Sequence, residues 1–75
     1  MQIHIGNLIR EELRRQGHTN EWLAEQIGTS PRNLWRIYNK SSVDTHTLLR
    51  ISIALKTNMF KPYDEAFDTM TEVVV

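Results

Sequence analysis

The sequence contains no cysteine, so neither a disulfide nor a thiolate metal site can stabilise its fold. It also has no run of apolar residues longer than three, whereas a membrane-spanning helix needs about 20. No apolar stretch resembling a secretory signal stands at the N-terminus. From these absences we expect a soluble, cytoplasmic protein.

The chain is short, and its titratable residues form no recognisable catalytic set. Its 75 residues allow one small domain with little volume for a deep substrate cavity. The three histidines, His4, His18 and His46, are scattered without a second metal ligand at a suitable spacing. Asp44 is better explained as a helix cap than as a member of a catalytic triad. The sequence therefore predicts no enzyme and no bound metal or cofactor.

Charge is unevenly distributed along the chain, although the formal net charge is zero. Residues 1–61 contain nine Lys and Arg residues against five Asp and Glu residues, whereas residues 62–75 contain four acidic residues and no basic one. Phosphate attraction depends on the local field, because salt screens charges beyond about 8–10 Å. The basic part can therefore attract nucleic acid. Arg14, Arg15 and Arg50 are equally well explained as solvated charges.

Capping residues and helical periodicity predict four helices before the tail. Gly17 and Gly28 stand where the first two helices should end, since glycine readily adopts the left-handed conformation needed there. Thr19, Ser30 and Asp44 are suited to cap the N-termini of the next three helices. The predicted elements are helices over residues 4–16, 20–27, from Pro31 onwards and over 45–56, followed by a turn or fifth helix at 58–63.

The apolar side of each predicted helix supplies the candidate core. The inward positions are Ile5, Leu8, Ile9 and Leu13; Leu23, Ala24 and Ile27; Leu34, Ile37 and Tyr38; Leu48, Leu49, Ile51, Ser52 and Leu55; and Met59 or Phe60.

The C-terminal segment has the alternating pattern of a strand. Apolar or β-branched residues recur at every second position from Phe67 to Val75. A single strand cannot be stable alone, so this segment either pairs with the same strand of a second copy or is disordered. We therefore divide the chain into a domain at residues 1–63 and an acidic tail at residues 64–75 that serves as a candidate dimerisation strand.

The second and third helices carry a set of residues at a characteristic spacing. They are Leu23, Ala24, Gly28, Thr29, Ser30, Leu34 and Ile37. On these residues, positions 4–60 resemble the phage-repressor family of helix-turn-helix DNA-binding domains, the Cro and lambda-repressor or XRE type. It implies an all-α domain of four or five helices, to which the sequence adds the C-terminal strand.

The resemblance also implies which residues contact DNA. Those standing where family members touch base edges are Arg32, Asn33 and Arg36. Those standing where the family approaches the DNA backbone are Asn20, Asn39 and Lys40, with Asn20 in place of a more usual Gln. Thr19, at the start of the second helix, and Ser41, in the polar loop after the third, are further candidate phosphate contacts. Thr19 and Asn20 also open the second helix, whose free amides favour an anion.

Several positions depart from the family pattern. Pro31 occupies a place that often holds a base-reading Gln and has no side-chain donor. Leu13 and Tyr38 stand where many members have a buried Arg–Glu pair, so we expect apolar packing instead. Trp22 and Trp35 stand at positions that are usually polar or small, and we expect Trp35 to be half-buried at a subunit contact.

Two functions from different classes follow. The first is sequence-specific binding of double-stranded DNA by a homodimeric transcriptional regulator, expected to be a bacterial or phage repressor. The alternative is a protein-interaction module of the antitoxin kind on the same fold, with weak or no DNA binding. Zero net charge, Pro31 and the two unusual tryptophans support the alternative. An exposed apolar patch at Trp22 and Trp35 would favour a protein partner, whereas a free face with Arg32, Asn33 and Arg36 together would favour DNA.

Overall fold

The computed structural model describes residues 2–74 and contains five α-helices in this range. In chain order they are α1 (Ile5–Gln16), α2 (Asn20–Gln26), α3 (Pro31–Tyr38), α4 (Thr45–Leu55) and α5 (Lys61–Val74). The prediction of an all-α domain is confirmed. The molecule measures 45 × 20 × 20 Å, and its long dimension reflects the 14 residues of α5.

Side-chain caps begin four of the helices. Thr19 Oγ1 accepts a hydrogen bond from the Trp22 amide at 3.0 Å, and Ser30 Oγ accepts one from the Asn33 amide at 3.1 Å. His4 and Asp44 cap α1 and α4 in the same way. These contacts satisfy amides that have no partner within the helix, and they confirm the three predicted caps.

Left-handed residues end α1 and form the turn after α2. Gly17 has a φ angle of 76° and Gly28 one of 70°, as the sequence predicts for both positions. Helices α2 and α4 each end one residue before the predicted boundary.

The core lies between the first four helices and Met59. Its buried members are Ile5, Ile9, Leu13, Leu23, Ala24, Ile27, Leu34, Ile37, Tyr38, Leu48, Ile51, Leu55 and Met59. Leu49 was expected among them, but it is 48% exposed. It lies on the side of α4 away from the buried positions 48, 51 and 55, so the prediction for this residue is wrong.

Helix α1 begins directly against the end of α3. The Ile5 amide donates to the Ser41 carbonyl and the Gly6 amide to the Lys40 carbonyl, each at 3.0 Å. A Cβ atom on Gly6 would lie 2.3 Å from the Tyr38 carbonyl oxygen. Only glycine therefore allows this close approach of two backbones.

A polar cluster around Glu12 connects α1 to the chain after α4. The carboxylate accepts hydrogen bonds from Arg15, from Gln16 at 2.7 Å and from Thr57 Oγ1 at 3.1 Å. Gln16 also donates to the Leu55 carbonyl at 2.8 Å, which is one of the last carbonyls of α4. These hydrogen bonds, led by that from Arg15, lower the pKa of Glu12 from 4.5 to about 2.

The structure does not show the predicted C-terminal strand. Helix α5 begins at Lys61, within the short element predicted at 58–63, and residues 67–74 continue it. Thr69 donates to the Glu65 carbonyl at 3.0 Å and Thr71 to the Phe67 carbonyl at 2.6 Å, so both hydroxyls bond within the helix. Pro62 lies in the first turn, where its missing amide costs no helical hydrogen bond.

The end of the predicted strand, Val75, lies outside the described residues. In the described part of the chain, no helix is long and apolar enough to cross a membrane.

Candidate nucleic-acid interface

Helices α2 and α3 are joined by a four-residue connection that is fixed by backbone hydrogen bonds. The Gly28 amide donates to the Glu25 carbonyl at 3.2 Å, and the Thr29 amide donates to the Ala24 carbonyl at 2.9 Å. Leu23 and Ala24 are buried beneath this connection. The small Ala24 side chain at this point suits a close crossing of the two helices. A short turn containing glycine between two packed helices fits a helix-turn-helix unit.

One face of α3 is free and polar, whereas the other is fixed in the core. Arg32, Asn33 and Arg36 are all exposed on a helix whose Leu34 and Ile37 are buried. The three predicted base-reading residues therefore lie on one exposed side of the helix, since Arg36 is four residues after Arg32 and three after Asn33 and so neighbours both. That they read bases remains a prediction.

Asn33 already makes two hydrogen bonds within the α2–α3 unit. Its Nδ2 donates to Thr29 Oγ1 at 2.7 Å, and its backbone amide donates to Ser30 Oγ at 3.1 Å. Its side-chain oxygen and the second hydrogen on Nδ2 are left to contact a ligand without breaking this bond.

The predicted phosphate contacts form two groups near the end of α3. Thr19 and Asn20 begin α2, and Asn20 is hydrogen-bonded to Tyr38 in the last turn of α3. The other group, Asn39, Lys40 and Ser41, follows α3 directly, and all three are exposed. Backbone hydrogen bonds from the start of α1 hold the Lys40 and Ser41 carbonyls. Both groups are thus fixed relative to the exposed face of α3.

Tyr38 makes an uncharged hydrogen bond at a position where many members of the family that the chain resembles have one partner of an ion pair. Its phenol donates to Asn20 Oδ1 at 2.8 Å, and its ring is 2% exposed. Burial raises the pKa of Tyr38 to about 12, so the phenol keeps its proton near neutral pH. Leu13 is buried as expected. The expected replacement of the pair by apolar packing is therefore correct for Leu13 but incomplete for Tyr38, which adds a directed hydrogen bond.

The two tryptophans have separate surroundings. Trp22 is half-buried against the core and stacks on His18, with ring centroids 3.7 Å apart and an interplanar angle of 9°. His18 precedes the Thr19 cap, so its ring packs where an apolar residue often anchors the entry to a helix. Trp35 is 45% exposed and meets Tyr38 edge to face, at 5.7 Å between centroids.

Two arginines on α1, Arg10 and Arg14, lie beside the candidate site, and the sequence analysis did not identify them as site residues. Arg10 lies over the Trp35 ring, with Cζ 5.1 Å from the ring centroid, and it is half-buried. Arg10 and Arg14 both line a pocket of about 300 Å³ at the start of α2, together with Thr19 and Asn20. Their spacing of four residues on one helix was the available signal, because it places both on one side of α1.

Comparisons with known proteins give no match. The chain matches no protein-family model, and no curated protein and no solved structure is detectably similar to it. Among the residues that the structure describes, no group of three or more His, Cys, Asp or Glu side chains is arranged to hold a metal ion.

Proposed function

We propose that this chain binds double-stranded DNA sequence-specifically and acts as a small transcriptional regulator. The observation that carries the proposal is the exposed polar face of α3, on which Arg32, Asn33 and Arg36 lie together. Buried Leu34 and Ile37 hold the helix to the body, so the face is presented on a rigid element. A helix of this kind can enter the major groove while the preceding helix crosses the DNA backbone.

The chemistry of the three side chains fits base edges. An arginine near the start of such a helix can donate two hydrogen bonds to O6 and N7 of guanine, a contact worth roughly 1–3 kcal/mol of discrimination. Arg32 holds that position, and Arg36 lies one turn later. Asn33 donates one Nδ2 hydrogen to Thr29, so its oxygen can accept from an amino group of cytosine or adenine while its second Nδ2 hydrogen can still donate.

The proposed regulator works as a homodimer. One module of this size neutralises few phosphates, whereas two could occupy half-sites about 34 Å apart on one face of the duplex. Phe67 and Met70 are 64% and 60% exposed on one side of α5, and this apolar pair supports contact between the α5 helices of two copies. In our proposal the two copies therefore contact each other through helix α5 and not through a C-terminal strand.

Repression is the mode of regulation that best suits such a small protein. A dimer bound across a promoter can exclude polymerase without any further domain. We propose that it does so in the cytoplasm of a bacterium, on a bacterial or phage operator.

The protein-interaction alternative has less support. Zero net charge and Pro31 still support it, but it also depended on Trp22 and Trp35 forming one apolar patch, whereas Trp22 stacks on His18 and Trp35 lies beneath Arg10. Each tryptophan is thus partly covered by a different neighbour.

Selection from a random duplex library at about 150 mM salt tests the proposal, because lower salt inflates sequence-independent binding. We expect enrichment of a two-fold-symmetric site. Arg32→Ala should then weaken binding to that site more than binding to a scrambled duplex. Lys61→Ala, which removes one charge from α5 instead, should affect both duplexes equally. No enrichment by a folded protein would contradict the proposal.

A further inference from the structure

Two consecutive residues of the connection between α2 and α3 hold Asn33. The Ser30 hydroxyl accepts from the Asn33 backbone amide at 3.1 Å, and the Thr29 hydroxyl accepts from the side-chain Nδ2 at 2.7 Å. Thr29 is itself fixed, because its backbone amide donates to the Ala24 carbonyl at 2.9 Å. Both the backbone and the side-chain amide of Asn33 are therefore held, although the residue is exposed to solvent.

The hydrogen bond to Thr29 limits what the Asn33 side chain can offer to a ligand. An asparagine amide has two donor hydrogens on its nitrogen and one acceptor oxygen. Thr29 takes one donor, which leaves one hydrogen on Nδ2 and the Oδ1 acceptor. The last side-chain torsion of an asparagine is otherwise broadly distributed, and a fixed partner restricts it. Asn33 therefore presents one donor and one acceptor in a restricted orientation.

Adenine is the base whose major-groove edge matches one donor and one acceptor. Its N7 accepts and its N6 amino group donates, so an asparagine can bind both at once. Guanine presents two acceptors, N7 and O6, and would require two donors. Cytosine presents only the N4 amino donor, and thymine only the O4 acceptor beside its methyl group. With one hydrogen held by Thr29, Asn33 can thus make two hydrogen bonds to adenine but only one to any other base.

We propose that Thr29 is a positioning residue that makes Asn33 selective for adenine. The inference rests on the proposed function, and it adds which base Asn33 recognises and which residue sets that choice. A side chain that is held before binding loses less rotamer freedom when the ligand arrives, so more of the contact energy is left for discrimination. The adenine contact is separate from those of Arg32 and Arg36, whose guanidinium donors suit guanine.

Base substitution in the selected duplex tests the adenine contact. Library selection with the wild type and with Asn33→Ala locates the base pair that Asn33 contacts, as the pair whose preference the substitution removes. We expect an A·T pair there, favoured about tenfold over the others. Replacing its adenine by 7-deazaadenine, which lacks the N7 acceptor, should weaken wild-type binding about threefold to tenfold. The same replacement should leave binding by Asn33→Ala unchanged.

Substitutions at Thr29 test its positioning role. Thr29→Val replaces the hydroxyl by a methyl group of similar size and should reduce the preference for the A·T pair about threefold to fivefold. Thr29→Ser is the matched control, because it keeps a hydroxyl and should keep the preference. In an Asn33→Ala background, Thr29→Val should alter no base preference.

A merely structural role for Thr29 would give a different result. Thr29→Val would then weaken binding to every sequence and leave the preference at the Asn33 position as in the wild type, which would overturn the positioning role. Thermal unfolding of each variant establishes that it is folded at the temperature of the binding assay.

The outcomes separate this inference from the function on which it rests. A pair other than A·T at the Asn33 position would overturn the inference and leave DNA binding in place. So would a selected site whose preferences are all unchanged in Asn33→Ala. A folded wild-type chain that enriches no sequence would overturn both the inference and the proposed function.

Discussion

Replacing Gly6 by alanine tests the contact between α1 and α3. The added Cβ would lie 2.3 Å from the Tyr38 carbonyl oxygen and 2.5 Å from that of Ile37. Both neighbours are backbone atoms near the end of α3, so neither can move aside as a flexible side chain would. Helix α1 would have to withdraw, which would stretch the hydrogen bond from the Gly6 amide to the Lys40 carbonyl.

Three effects set the magnitude of the expected loss. Overpacking a tight contact costs about 1–3 kcal/mol. Weakening the two hydrogen bonds at the start of α1 adds about 1–2 kcal/mol, whereas the better helix propensity of alanine returns about 1 kcal/mol. We expect Gly6→Ala to lower the free energy of unfolding by about 1–4 kcal/mol. In a domain of this size each kcal/mol corresponds to roughly 4–8 °C, so the melting temperature should fall by at least about 4 °C.

Urea and thermal unfolding followed by circular dichroism would measure this change. Gly17→Ala is the control, because Gly17 has a positive φ angle but no atom within 4 Å of its hypothetical Cβ. It should cost only the backbone strain, about 1 kcal/mol. A Gly6→Ala protein as stable as the wild type would refute the close backbone contact between α1 and α3.

Two further predictions concern the Glu12 cluster and α5. The folded-state pKa of Glu12 is about 2, below its ordinary value of 4.5, so the charged cluster stabilises the fold above about pH 4.5 and loses this effect as the pH falls towards 2. Glu12→Gln should therefore cost about 1–2 kcal/mol at pH 7 and progressively less below pH 4.5 in urea titrations. Phe67→Ala combined with Met70→Ala should convert a dimer to a monomer in sedimentation experiments, with almost no change in the unfolding of the monomer, because both side chains are exposed.

Each of these two predictions has a result that would contradict it. A difference between wild type and Glu12→Gln that stays constant from pH 7 to pH 2.5 would show that the carboxylate charge contributes nothing. Thr69→Ala is the control on α5, since Thr69 is exposed but not apolar. A double variant that sediments as the wild type does would place the dimer contact away from Phe67 and Met70.

The helices before the tail could be predicted because their boundaries are encoded locally. Ser30 and Asp44 cap helices through their own side chains, and Gly17 takes a φ angle of 76° that few other residues accept. The tail could not be assigned in the same way. Phe67 to Thr71 alternate as in a strand, yet Phe67 and Met70 also lie on one side of a helix, and the threonine hydroxyls bond equally well within the helix.

Only part of the candidate site could be predicted from the sequence. The exposed face with Arg32 and Arg36 follows from helical periodicity, since the buried positions of α3 determine which side remains free. The pocket at Arg10 depends on long-range contacts with Trp35 and Tyr38, and no local pattern specifies those. Gly6 gave an unused signal, because an isolated glycine inside a helical pattern often marks a close packing contact.

The neutral bond between Tyr38 and Asn20 has a consequence for how ionic strength acts on this protein. Many members of the family that the chain resembles hold α1 to α3 with a buried pair of opposite charges. Here Leu13 of α1 is buried, and Tyr38 of α3 makes an uncharged hydrogen bond to Asn20 of α2. Salt weakens attraction between exposed charges but has little effect on such contacts. On the proposed function, added electrolyte should therefore weaken the binding of the protein to DNA while these two contacts between helices remain intact.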